Sequence, residues 1–410
     1  MTAHLTEWLS LALRWFHVIA GISWIGSSFY FMWLDANLTF PEPQRAGVEG
    51  ELWMVHSGGF YQVEKRLIGP GGMPSTLHWF KWEAAFTWMS GICLLAVVYY
   101  ISAGGALLTN PDFPMGRAAT VGLSLGTIAL AWLVYDLIWR STLAERYSRA
   151  ATALSLVLLA GVAYGLCQVF SGRAAFIHVG AMLGTIMVAN VWVRILPAQR
   201  RMIAATAAGE QPDYTLGKRA KRRSVHNSYV TLPVVAIMLS NHYPMAYGGS
   251  LNWVILILLL LVGAAIRHAM ILRTRGRGRV AGWWLAPAAA GVVALVWVSR
   301  PTPAPVMAAG SKPVSFTDVL PIVARRCQPC HSTHPTDDTF HQAPAGVVLE
   351  TSAELEHLAP LIRQFAVQTK TMPLANKTGM TDAERALLGR WLDQLQQAGK
   401  SSQPPPAVRP

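Results

Sequence analysis

The chain has 410 residues, 52% hydrophobic and 13% charged, with a formal net charge of +13. Charged residues make up about a quarter of an ordinary soluble domain, so one soluble globular body is excluded. The basic surplus is no nucleic-acid signature, because it lies in short clusters between apolar stretches: residues 1–312 hold 25 basic and 12 acidic groups, and 313–400 hold 8 and 9.

Eight apolar stretches come close to the ~20 helical residues that cross a hydrocarbon core: Trp8–Leu34, Phe80–Ile101, Ala118–Trp139, Ala150–Phe170, Ala174–Leu196, Ser228–Tyr247, Leu251–Leu272 and Gly282–Ser299. The first is too long and too rich in Trp and Tyr for a cleaved signal peptide, and it lacks a small-residue cleavage site. Gly69-Pro70-Gly71-Gly72 follows no strand suited to a phosphate cradle and reads as a loop. Cys93 and Cys167 stand alone in spans and read as packing residues. With the amino terminus outside, the inner loops hold 18 basic residues and the outer loops two, Arg117 and Arg173. The positive-inside rule then fixes the topology, and Lys218–Arg223 is a retention signal beside anionic lipid. An even number of spans also puts the carboxy-terminal segment outside.

Ionisable groups within a bilayer are costly and point to function, and imidazole is a common haem ligand. On this topology His17, His178 and His242 fall in the outer half, ~6–14 Å below the helix ends at 1.5 Å per residue. His78, His226 and His268 collect near the inner ends, with His56 in the first inner loop. Two of the outer three can hold a b-type haem, and His17 with His178 is the expected pair because both sit among small residues that admit a flat macrocycle. His242 can replace either. Asp136, Asn190, Asn227, Asn241 and Arg267 are the other polar groups in the spans. The pairs His226-Asn227 and Asn241-His242 stand at opposite ends of the sixth span, and an amide beside an imidazole suits a flat heterocycle or a helix end equally.

After the Pro-rich linker 301–312 comes Cys327-Gln328-Pro329-Cys330-His331, the attachment sequence of a covalent c-type haem. Two thiols add across two vinyl groups, and the adjacent imidazole of His331 reaches the iron. Ser315–Arg326 reads as a helix before it. Thr381 and Glu384 form a capping box for a last helix with Leu387, Leu388, Trp391, Leu392 and Leu395 on its apolar face. Met372 is the expected second iron ligand, a soft thioether that raises the potential. Met380 competes with it, and His334 or His341 would give a lower-potential centre. The sequence thus predicts an all-α chain with a transmembrane domain of about eight helices over 1–300, a linker over 301–312, a small class I-like cytochrome c domain over 313–400 and a disordered tail over 401–410.

Arg14–Gly26, Ile177–Val191, Ser224–Pro233 continuing through Ser240–Pro244, and Met372–Thr381 together resemble the membrane-bound, cytochrome c-linked urate oxidases (urate hydroxylases) over nearly the whole chain. The resemblance implies oxidation of urate to 5-hydroxyisourate, with electrons passed to a respiratory acceptor (a soluble cytochrome c or a terminal oxidase) and no hydrogen peroxide formed. It places the protein in a bacterial inner membrane, with both the amino terminus and the cytochrome periplasmic. His226 or His242 is the expected base, with an Asn amide, Asn227 or Asn241, orienting the ring. Family members often carry a second Asn where this chain has Ser228. Two other classes fit the composition and spacing: a quinol or small-molecule dehydrogenase with a cytochrome output, and a metal-handling or transport protein with a cytochrome sensor.

Overall fold

The computed structural model describes residues 3–68, 72–101, 107–110, 113, 115–300, 313–337, 340 and 342–401. The linker 301–312, most of the Gly69–Gly72 loop, His341 and the tail beyond Ser401 lie outside the described residues.

The chain is mainly helical, but one feature departs from the all-α expectation: β1 (Val48–His56) pairs antiparallel with β2 (Gly59–Arg66) in the first interhelical loop. Ser57 and Gly58 both have positive φ at the turn, the conformation that matches strand twist in a two-residue hairpin. Val, Trp, Phe and Tyr in the flanking strands suit a pleated surface. Arg45 clamps both strands through Glu51 and Glu64.

Around this hairpin stand α1 (Ala3–Asn37), α2 (Trp82–Leu95, continued by a π-helical turn, Ala96–Ile101), α3 (Arg117–Arg140), the short α4 (Thr142–Arg146) and α5 (Ser148–Val169). Next come α6 (Gly172–Ala189), which passes through a π-helical stretch, Asn190–Ile195, into α7 (Leu196–Ala207), then α8 (Tyr214–Ser240), the short α9 (Pro244–Tyr247), α10 (Asn252–Thr274) and α11 (Gly278–Val298). α6 is the central helix, packed against α2, α3, α5 and α8, with Phe176, Val179 and Met182 fully or almost fully enclosed. Large apolar side chains elsewhere face outward, among them Trp15, Leu137, Val157, Trp283 and Val293, as surfaces solvated by lipid do.

Among the described residues, seven helices are long and apolar enough to cross a membrane. The expected sixth span, Ser228–Tyr247, needs correction. Its helix starts earlier, at Tyr214, with five cations between Lys218 and Arg223, and it ends at Ser240. Residues 241–243 turn, and Tyr247 belongs to a separate helical turn opened by Pro244.

Side-chain pairs sort the helix ends into two groups. At the basic end, Asp35 of α1 binds Lys65 of the hairpin and Lys221 of α8, while Arg219 binds Glu145. At the opposite end, Ser171 bonds to the carbonyls of Leu107 and Leu108, and Arg173 donates to Asn241. Loops that alternate along the chain therefore gather at alternate ends.

The carboxy-terminal body contains α12 (Phe316–Arg326), α13 (Ser352–His357), α14 (Ala359–Ile362) and α15 (Asp382–Ser401). α12 and α15 cross over a core of Val319, Ile322, Val323, Leu388, Trp391 and Leu392. Both expected helices are present, and the Thr381–Glu384 box forms reciprocally. α15 includes Ser401, the first residue of the expected tail. The body touches the bundle at Gly248, where an added Cβ would lie 2.4 Å from the Thr369 Cβ. Only glycine permits that approach.

Candidate functional site

The first site lies in the carboxy-terminal body. α12 ends at Cys327, and the turn that follows bonds the His331 amide to the Cys327 carbonyl. The His331 ring donates Nδ1–H to the Val347 carbonyl at 3.0 Å, which fixes the tautomer and leaves Nε2 free, the arrangement usual for a metal-bound imidazole. Cys327 and Cys330 are not joined in a disulfide. Burial pushes the Cys327 thiol up to about 11, against a smaller opposing pull from Arg385. The donor set therefore fits a covalent haem. Met372 packs half-buried on the same core as Cys327. Its carbonyl accepts from the buried Arg385 at 2.6 Å, and Arg385 also holds Asn376 at 3.1 Å. Met380 sits deeper, 3% exposed, with its amide tied to Asn376. His334 falls in the turn after the motif.

The second site is a cavity of about 360 Å³ between α1, α2, α6 and α8. Arg14, Arg173, Asn241 and His242 crowd one end of it, and Met187 and Thr231 lie at the other. Arg14 to Ile25 on α1 covers ~16 Å and Arg173 to Met187 on α6 ~21 Å, at 1.5 Å per residue. The cavity is thus a slot along the helices, longer than a purine and comparable to a porphyrin with its propionates. His17 lines it. Ser90 spends its hydroxyl proton on the Phe86 carbonyl at 2.6 Å, so His17 Nδ1–H donates to Ser90 Oγ at 3.0 Å and Nε2 stays free. Gly91 makes room for that ring: a Cβ there would lie 3.1 Å from His17 Cε1. Gly21, Gly180, Ala181 and Gly184 give the slot flat walls. Two cations at one end, an oriented imidazole and small-residue walls fit a haem b.

His178 does not meet His17 there. It is 1% exposed, it donates Nδ1–H to the Ala174 carbonyl at 2.7 Å, and its Nε2 is engaged by Ser124. Phe170 and Tyr99 pack on its ring. Neither nitrogen is left for iron, so this helix-packing histidine drops out of the expected pair, and His242 is the second histidine that lines the slot.

The third site is a polar network toward the basic end. The Tyr135 hydroxyl pairs with His226 Nδ1 at 2.8 Å and accepts from Asn190 at 3.1 Å. Asn190 also donates to Asn227 Oδ1 at 2.9 Å, and Asn227 donates to the Met187 carbonyl at 2.9 Å. Beneath them Asp136 is held by Arg194 and Arg223, and the Arg223 guanidinium lies 4.9 Å from the centre of the Tyr135 ring. The Trp139 ring closes on His226 at 4.1 Å. The π-helical stretch places Asn190 and Arg194 here, and such stretches recur at functional sites.

The two candidate His–Asn pairs thus belong to different sites. His226 and Asn227 belong to the network, and Asn241 and His242 to the slot. The two groups lie ~24 Å apart along α8, at 1.5 Å per residue. Neither amide is free to orient a ring, since Asn227 is committed to Asn190 and Met187, and Asn241 holds Arg173. Tyr135 and the pairing of Asp136 with Arg223 were not expected. The polar residues Asp136 and Asn190 inside apolar spans were their only trace in the sequence. His268 pairs with Tyr229 and packs on Trp284, away from the network. His56 and His78 are exposed.

No curated protein and no solved structure matches the chain. The profile of the urate oxidase N-terminal family matches residues 3–299.

Proposed function

Because this chain belongs to the urate oxidase N-terminal family, we propose that it oxidises urate to 5-hydroxyisourate and passes the electrons to a covalent haem c on its carboxy-terminal body. The observation that carries this reading is the order of three polar sites along one bundle. The His226 network lies at the basic end, the His17 slot follows from Met187 outward, and the CxxCH body touches the opposite end at Gly248.

The reaction balances as urate plus water giving 5-hydroxyisourate, two protons and two electrons. His226, joined to the Tyr135 hydroxyl, takes the proton that leaves the ring. Trp139 shuts the imidazole against bulk water, and the water oxygen adds at the oxidised purine carbon. Haem, when bound, supplies one-electron acceptor chemistry. His17 and His242 would hold it in the slot, with Arg14 and Arg173 facing its propionates. Cys327, Cys330, His331 and Met372 would hold the second haem. The basic end faces the cytoplasm, the carboxy-terminal body faces the periplasm, and a respiratory acceptor takes the electrons there.

The test is anaerobic reduction of the purified full-length protein, with pyridine haemochrome quantitation counting b and c haems together. Urate is expected to reduce the haem c band stoichiometrically. Reduction by a quinol with no response to urate would overturn this function in favour of a quinol dehydrogenase.

A further inference from the structure

Resting on that reading, the buried network also names its ligand. Asn190 is fully buried, and its Nδ2 serves both Tyr135 and Asn227 while its Oδ1 has no partner among the described residues. Arg223 is 4% exposed and binds Asp136 through Nη2, and its Nη1 likewise has none. Arg222, which stands on Trp139, leaves its buried Nε without an acceptor as well. Buried polar atoms are almost always paired, so two unmet donors and one unmet acceptor around a single Tyr–His pair describe the complement of something. Charge says what it is. Asp136 is approached by Arg140, Arg194 and Arg223, so one carboxylate meets three guanidiniums. Uncompensated charge is costly away from water, and the cluster calls for an anion.

A flat anion that offers carbonyl oxygens to guanidinium N–H groups, and one ring N–H to an amide oxygen, satisfies that inventory. We propose that the urate monoanion binds here, with Asn190 Oδ1 accepting a ring N–H, Arg223 Nη1 donating to a ring carbonyl, and His226 facing the carbon to be oxidised. Asn190 and Arg223 are therefore the specificity-determining residues. The cluster selects anionic oxopurines over neutral ones, and it lies against the slot because Asn227 is bonded to Met187, one of the residues lining it.

The experiment follows haem c reduction by stopped flow in full-length protein in lipid nanodiscs, with urate as reductant. Asn190→Ala and Arg223→Lys should each raise the half-saturating urate concentration about tenfold or more, as loss of a buried hydrogen bond does. The haem b and haem c content should stay unchanged. Asn190→Asp, equal in shape but anionic, should weaken binding further. Unchanged half-saturation in assembled variants would overturn the site and leave the network to buried water. If the alanine variant fails to assemble, the isosteric Asn190→Asp decides alone: wild-type urate dependence in it overturns the site. Absence of urate-driven reduction in the wild-type protein is a different failure, that of the function itself.

Discussion

At the scale of single residues, the free nitrogen of an imidazole separates two histidines that look alike in sequence. His17 keeps Nε2 available and His178 keeps neither nitrogen. His17→Ala is expected to remove the b-haem bands from a reduced-minus-oxidised spectrum while haem c remains. His178→Ala should retain b-haem and lower thermal stability, because it leaves a hole beside Phe170 and strips Ser124 of its partner. Loss of b-haem in His178→Ala alone would reinstate the earlier pair. Asp136 gives a second contrast. Asp136→Asn leaves Arg194 and Arg223 buried beside a neutral amide, and breaking a buried pair costs about 3–5 kcal/mol, so poor assembly is expected. Wild-type yield and melting temperature would count against a structural role for the pair. The sequence made the CxxCH motif and the outer position of His17 legible, because spacing and depth are one-dimensional facts. It could not reveal that His178 points its ring back to Ala174, since rotamers depend on neighbours from other helices.

At the scale of elements, patterns with a local physical cause were readable and tertiary ones were not. The box that opens α15 was legible because Thr381 and Glu384 meet within one turn. Hydrogen bonding from the Thr381 amide, then from Arg326 and the Thr381 hydroxyl, holds the Glu384 carboxyl below its ordinary range. The folded state thus binds the proton less readily than the unfolded state does. The stabilisation is complete above the unfolded carboxylate range and is lost as pH falls through the folded value. Acidification should therefore lower the melting temperature of the carboxy-terminal body. Glu384→Gln should flatten that part of the profile and lower the neutral-pH melting temperature by a few degrees; an unaltered profile would deny the box any part in it. By contrast, the hairpin Val48–Arg66 lay hidden because an apolar-pattern reading looks for spans. The early start of α8 was masked by its cations, which are fixed by Asp35, Glu145 and the carbonyls of Trp139 and Ala144, all outside the helix.

At the scale of the whole molecule, the run of apolar helices followed from hydropathy, although seven rather than the expected eight of those described are apolar enough to span, because cations fall inside α8. The division of the polar residues into a slot and a network did not, because one helix, α8, serves both, and its two His–Asn pairs look like halves of a single site when read as a string. That helix has an electrical consequence. With urate oxidised near its first half and the electrons delivered beyond its last residue, each turnover moves negative charge away from a negatively polarised cytoplasm. The membrane potential then performs work on the reaction, up to ~2.3 kcal/mol per electron for every 100 mV if the full thickness is crossed. In proteoliposomes with the carboxy-terminal body outward, an inside-negative potassium diffusion potential should accelerate urate-driven reduction of an external acceptor, and a reversed one should slow it. A rate indifferent to the imposed voltage would place donor and acceptor at the same electrical depth. A urate oxidase arranged this way draws on the cell's stored voltage with every molecule it clears, and it runs fastest in well-energised membranes.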